Sequence, residues 1–101
     1  MPETPTLARV LATLRREESD LRRRGILHAG VFGSVARGED TSSSDIDILV
    51  EVDYTTSFGY LDLIEIEERL ADVFGRRVDL VSAGGLKEKH LEIHRDTVRA
   101  F

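Results

Sequence analysis

Asp45 and Asp47 flank a single isoleucine at the start of an alternating apolar run, Ile46, Ile48, Val50 and Val52. In an extended strand successive side chains point to opposite faces, so the two carboxylates share one face and the aliphatic side chains the other. Their Cα atoms stand about 7 Å apart in such a strand. The oxygens can then converge on one cation or a cation pair, and hard oxygen donors suit Mg²⁺. A third acid, Asp79, lies in a second alternating stretch, Val78-Asp79-Leu80-Val81. If the two stretches are neighbouring strands, Asp79 approaches the other two. Three gathered carboxylates repel one another unless a cation neutralises them. The chemistry this points to is metal-assisted: two Mg²⁺ ions activating an attacking oxygen and stabilising the leaving one in an in-line phosphoryl displacement.

Gly33-Ser34 fits the same reaction. It stands where an earlier apolar run stops, ahead of a short segment able to form one helical turn. A glycine lets backbone amides approach a phosphate without a Cβ in the way, and the free N–H groups of a helical turn face anions. The Ser34 hydroxyl can donate one more hydrogen bond, Arg37 can reach the phosphates or brace the acids, and Ser44 can add another donor. Gly-Ser pairs, Asp-x-Asp triplets and lone strand aspartates are each common. Their joint spacing is specific: Gly33-Ser34, ten residues, Asp45-Ile46-Asp47, then Asp79.

The elements that must position these residues are legible in the periodicity. Thr4-Pro5 reads as a helix start, with Thr4 as N-cap and Pro5 at the first helical position. Leu7, Val10, Leu11, Leu14 and Leu21 recur at helical spacing, and Gly25 supplies a left-handed stop. Ile26 to Phe32 reads as a strand, Ser34 to Arg37 as a helical turn closed by Gly38, and Glu39 to Ser44 as a loop. The second strand runs from about Asp45 to Val52. Thr55, Thr56 and Ser57 offer N-caps for a helix over about Phe58 to Phe74, with Leu63, Ile66, Leu70, Val73 and Phe74 as its stripe, widened by Leu61 and Ile64. Arg76 to Val81 is a third strand and Leu86 to Val98 a last helix. The order is helix, strand, turn, strand, helix, strand, helix. The expected fold class is α/β in the broad sense (α+β): a small mixed sheet covered by helices, in a single domain spanning residues 1–101.

Composition sets the outer bounds. The 101 residues are 41% hydrophobic and 33% charged, with a formal net charge of −5. That suffices for one core. The arginines around the first helix are interleaved with Glu17, Glu18 and Asp20 in an acidic chain, which favours a solvated face over a nucleic-acid patch. The glutamates of the central helix read as a solvated face in the same way. The chain has no cysteine, so disulfides and thiolate metal sites are excluded and a reducing compartment is expected. No apolar run reaches the roughly 18 residues of a membrane span, and the first residues lack the basic and apolar regions of a signal peptide. A cytoplasmic location is the expectation. His90 and His94 lie four apart, yet no third zinc ligand or metalloprotease pattern accompanies them. His28, alone in an apolar strand, is read as a packed residue.

On these residues the chain resembles the DNA polymerase beta-like nucleotidyltransferase superfamily. The resemblance rests on Gly33-Ser34-x10-Asp45-Ile46-Asp47, set in Phe32-Gly33-Ser34-Val35-Ala36-Arg37-Gly38 and Ser44-Asp45-Ile46-Asp47-Ile48-Leu49-Val50. It extends over nearly the whole chain to Asp79, without departure from the motif. Within the superfamily the chain is similar to the minimal nucleotidyltransferases, which have about this length. The resemblance implies that Asp45 and Asp47 hold both Mg²⁺ ions, and that Asp79 ligates one of them and assists deprotonation of the acceptor. It also implies that Gly33 and Ser34 hold the triphosphate of ATP. A partner is implied as well, a small helical HEPN-domain toxin, with this chain its antitoxin. Transfer of AMP to a toxin tyrosine would be the reaction. A different class of function stays open: a binding module that neutralises a toxin by occlusion. A glycosyltransferase reading of Asp-x-Asp leaves the Gly-Ser spacing unexplained.

Overall fold

The computed structural model describes residues 6–53, 55–82 and 96–101. Helices α1 (Thr6–Arg16) and α2 (Glu18–Arg23) lead into strand β1 (Ile26–Phe32) and the short helix α3 (Gly33–Arg37). Strand β2 (Ile46–Val52), helix α4 (Tyr60–Phe74), strand β3 (Val78–Ser82) and the two-residue strand β4 (Val98–Arg99) follow. The strands form one sheet in the order β3-β2-β1-β4. β1 runs antiparallel to both β2 and β4, and β2 runs parallel to β3. Parallel neighbours need a crossover connection, and α4 supplies it. The fold is the mixed α+β sheet with helices that the element order predicts.

Alternation in β2 explains where the core lies. Ile46, Ile48, Val50 and Val52 are buried against Val10 and Leu14 of α1, Leu21 of α2, Ile66 and Leu70 of α4, and Val78 and Leu80 of β3. Leu7 and Leu11 complete the first stripe from its partly buried edge. Of the expected α4 stripe, Leu63 and Phe74 are partly buried, whereas Leu61 and Val73 are exposed.

Several boundaries differ from expectation. The single helix expected up to Gly25 is divided at Glu17, whose backbone sits at φ −86° and ψ −1°. The bonds Glu17 N–H to Thr13 C=O (3.0 Å) and Leu21 N–H to Glu17 C=O (2.9 Å) persist across the division, so Leu14 and Leu21 both still face the sheet. Thr4 and Pro5 lie outside the described residues. α4 begins at Tyr60 rather than Phe58 because Gly59 is the N-cap, its N–H bonded to the Asp62 carboxylate at 2.7 Å. Thr55 and Thr56, expected as caps, instead bond to Asp53.

Val98 was expected at the end of a helix and belongs to β4, paired with Val31 while Arg99 pairs with Gly30. Gly30 makes that pairing sterically accessible: a Cβ there would stand 2.6 Å from Thr97 Cγ2 and 3.0 Å from the Val98 carbonyl oxygen. The rest of the expected last helix, with His90 and His94, lies outside the described residues. Among the described residues no helix is long and apolar enough to cross a membrane.

Candidate active site

The register of the sheet brings two of the acids, Asp47 and Asp79, together. Asp47 is the cross-strand partner of Phe32 in the antiparallel β1–β2 ladder and of Asp79 in the parallel β2–β3 ladder. Phe32, Asp47 and Asp79 therefore form one row across the sheet, with adjacent Cα atoms about 5 Å apart. Paired residues in a ladder point to the same face, so the Asp47 and Asp79 carboxylates are neighbours. Opposite faces hold the aliphatic side chains: Ile46, Ile48 and Leu80 are buried, Asp47 is half-buried and Asp79 exposed.

Gly33 follows Phe32 directly and so lies beside Asp47. Its φ is +74°, in the left-handed region, and a Cβ there would overlap Asp47 Oδ2. Gly33 and Ser34 open α3, whose N-cap position, Phe32, provides no side-chain cap, so the first-turn amides depend on other acceptors. Val35 buries itself in the core, and Gly38, at φ 72°, ends the helix. A one-turn helix is thus anchored by Val35 with Ser34 half-buried at its start and Arg37 exposed at its end.

The electrostatics of Asp47 show the consequence of this crowding. Burial raises its pKa above the usual carboxylate value, and the charges of Asp79 and Asp45 raise it further, while Arg37 opposes them. Arg37 also reaches Glu39, with Nε 3.2 Å from Oε2. Asp45 precedes the first ladder residue of β2 and is half-buried, with Arg77 Nε 3.8 Å from its Oδ1. The Ser44 hydroxyl accepts the Thr41 N–H at 2.8 Å, so the structure uses it within its own loop.

Asp79 and Asp45 act on Asp47 electrostatically, but the three carboxylates are not drawn into a closed shell. Among the described residues no three His, Cys, Asp or Glu side chains are gathered as a cation site. The donor set nevertheless fits Mg²⁺: oxygen ligands only, with Asp47 held in excess negative field. A cavity of about 420 Å³, lined by His28, Gly30, Leu49, Glu51, Thr97 and Arg99, lies farther along the β1–β2 ladder, apart from the acids.

One residue at the site escaped the sequence pattern. The Arg76 guanidinium bonds to the Ser44 carbonyl from Nε (3.1 Å) and Nη2 (2.6 Å), and Nη2 also bonds to the Thr41 carbonyl (3.0 Å). Nη1 lies 3.6 Å from the Asp40 carboxylate. Its backbone acceptors carry no side-chain signature, and its place after a helix-ending glycine marks it only as a strand start.

Comparison with known proteins identifies the family and the fold. A family model described as "Nucleotidyltransferase domain" matches residues 11–100. The chain is 43% identical over 83 residues to the protein adenylyltransferase MntA of Thermococcus cleftensis, covering 81% of this chain and 82% of that protein. A solved structure of a candidate minimal nucleotidyltransferase shares 39% identity with a TM-score of 0.70, over 87% of this chain and 93% of the other. The fold also matches a chain in the structure of a tri-AMPylated Shewanella oneidensis HEPN toxin in complex with MNT antitoxin. There the TM-score is 0.63 at 18% identity, over 90% of this chain and 71% of that one.

Proposed function

The chain belongs to the nucleotidyltransferase domain family, and on that premise we propose that it transfers AMP from ATP to a protein acceptor in an Mg²⁺-dependent reaction. The observation that carries this reading is the row formed by Asp47 and Asp79, with Gly33 against Asp47. Identity of 43% to a protein adenylyltransferase supports the choice of a protein acceptor.

Asp45, Asp47 and Asp79 would hold Mg²⁺, which supplies polarisation of the phosphate oxygens and neutralisation of charge. Gly33 leaves the first-turn amides of α3 open to the triphosphate, and Ser34 adds a hydroxyl donor. Arg37, which already opposes the field on Asp47, would balance phosphate charge. Ser44 contributes through the loop before Asp45. The acceptor hydroxyl attacks the α-phosphorus of ATP, its proton passes to the Asp79 carboxylate, and the bond to the β-phosphate breaks to release pyrophosphate. The product is an AMP ester of the acceptor. Asp79 suits the base role because it is exposed and comes from β3, whereas Asp47 lies in β2 and Asp45 just before it.

The acceptor in this reading is a tyrosine of a small helical HEPN toxin, and the chain acts as a cytoplasmic antitoxin, folded as a single domain over residues 1–101. Support comes from the sequence resemblance and, for transfer to a protein, from the similarity to protein adenylyltransferases; a chain of the HEPN–MNT complex shares the fold. Labelled ATP, Mg²⁺ and the product of the adjacent reading frame test it together. Label on that protein, lost on Tyr→Phe substitution at one site, is the expected result. Neutralisation of the toxin without any transfer of label would replace the reading with occlusion.

A further inference from the structure

The backbone around Asp45 is held from both sides by two consecutive residues. Asp45 lies before the first ladder residue of β2, where strand pairing has not begun. The peptide carbonyl that precedes it, from Ser44, receives two N–H groups of the Arg76 guanidinium, at 2.6 and 3.1 Å. The peptide N–H that follows it, from Ile46, donates to the Arg77 carbonyl at 2.9 Å. The two peptide planes flanking Asp45 are thus both tied to residues 76 and 77, and those planes fix the direction of its Cα–Cβ bond, from which the carboxylate projects. Arg76 extends the hold to the Thr41 carbonyl and Asp40. Its side chain is 19% exposed and that of Asp40 12%, so this clasp is largely shielded from water. The contact from the Arg77 side chain, 89% exposed and 3.8 Å away, is weak by comparison.

We propose that Arg76 is the positioning residue for Asp45, and that it ties the loop carrying the first carboxylate to the strand carrying Asp79. Only Arg77 and Val78 separate Arg76 from Asp79, so one segment sets both the third acid and the backbone of the first. The guanidinium suits the task because its planar fork offers several donors in fixed geometry; a lysine ammonium, a single nitrogen, cannot reproduce the paired Nε and Nη2 grip on the Ser44 carbonyl while Nη1 faces Asp40. This inference rests on the carboxylate reading proposed above.

Mn²⁺ binding to the full chain, followed by electron paramagnetic resonance without ATP, separates this role from simple electrostatics. Deleting a cation beside an acidic cluster should tighten cation binding. Loss of positioning should weaken it. Arg76→Ala is expected to weaken Mn²⁺ binding about tenfold, the lower range for outer-shell partners, and to speed hydrogen exchange of the Ile46 amide. In an Asp45→Asn background it should cause no further loss. Arg76→Lys keeps the charge and should still weaken binding, which covers the case in which the alanine variant does not fold. Unchanged or tighter binding in the Arg76 variants, or an equal loss in the Asp45→Asn background, would overturn the proposal while leaving the carboxylate site intact. If wild type fails to bind Mn²⁺, or Asp45→Asn binds it normally, the site reading falls and this inference with it.

Discussion

Gly33 lies against the carboxylate of Asp47, so closely that a Cβ at position 33 would overlap Oδ2 and stand 3.1 Å from Cγ. The contact joins the end of β1 to the row of acids, because Phe32 is the ladder partner of Asp47. Local backbone conformation and the direction of a carboxylate are thereby a single constraint.

Gly33→Ala tests that constraint. A left-handed φ costs a non-glycine residue about 1–2 kcal/mol, and the methyl group must also push the Asp47 carboxylate aside. Thermal unfolding should show a loss of that size, while transfer of AMP should fall by more than the stability loss explains. A variant with lowered stability but wild-type turnover would separate Gly33 from the site.

Asp47 gives the metal-free protein a pH dependence of known sign. Its pKa is raised in the folded state, first by burial and then by Asp79 and Asp45. Between the ordinary aspartate value and the raised one, the folded state binds more protons than the unfolded state, so stability falls as pH rises through that window. Asp47→Asn removes the penalty. Without divalent cations it should melt higher than wild type above the window, and the difference should vanish in acid below it. Arg37→Ala should extend the window upward, since Arg37 lowers the Asp47 pKa.

Asp79→Asn should part binding from chemistry. Asparagine keeps the size and one acceptor oxygen but cannot take a proton. Mg²⁺-ATP affinity by calorimetry should stay within a few fold, while single-turnover transfer falls at least ~100-fold, the lower range for a positioned base. Transfer at the wild-type rate would make Asp79 a surface carboxylate.

Glu67 does more than solvate α4. Its carboxylate accepts the Leu80 N–H of β3 at 3.2 Å, fastening helix to strand beside the row of acids. Glu67→Ala should cost about 1 kcal/mol, the usual worth of one such bond, read as a shift in the urea midpoint at constant slope. No shift would mean that water replaces the carboxylate without loss.

What the residues determined by themselves was local. Apolar continuity marked β1 from Ile26 to Phe32, and Gly33 and Gly38 bracketed α3. Alternation placed Asp47 opposite the buried Ile46 and Ile48, because side-chain parity in a strand depends only on neighbours along the chain. The tertiary structure alone decided what depends on distant neighbours. That Asp47 meets Asp79 is a matter of which strands are adjacent and in what register. The short β4 exists only because it pairs with β1 beside Gly30. The carbonyls that Arg76 grips lie 32 and 35 residues before it. A backbone carbonyl looks the same in every residue, so no spacing in the chain could announce that grip; it takes the folded sheet to bring the donor to the loop.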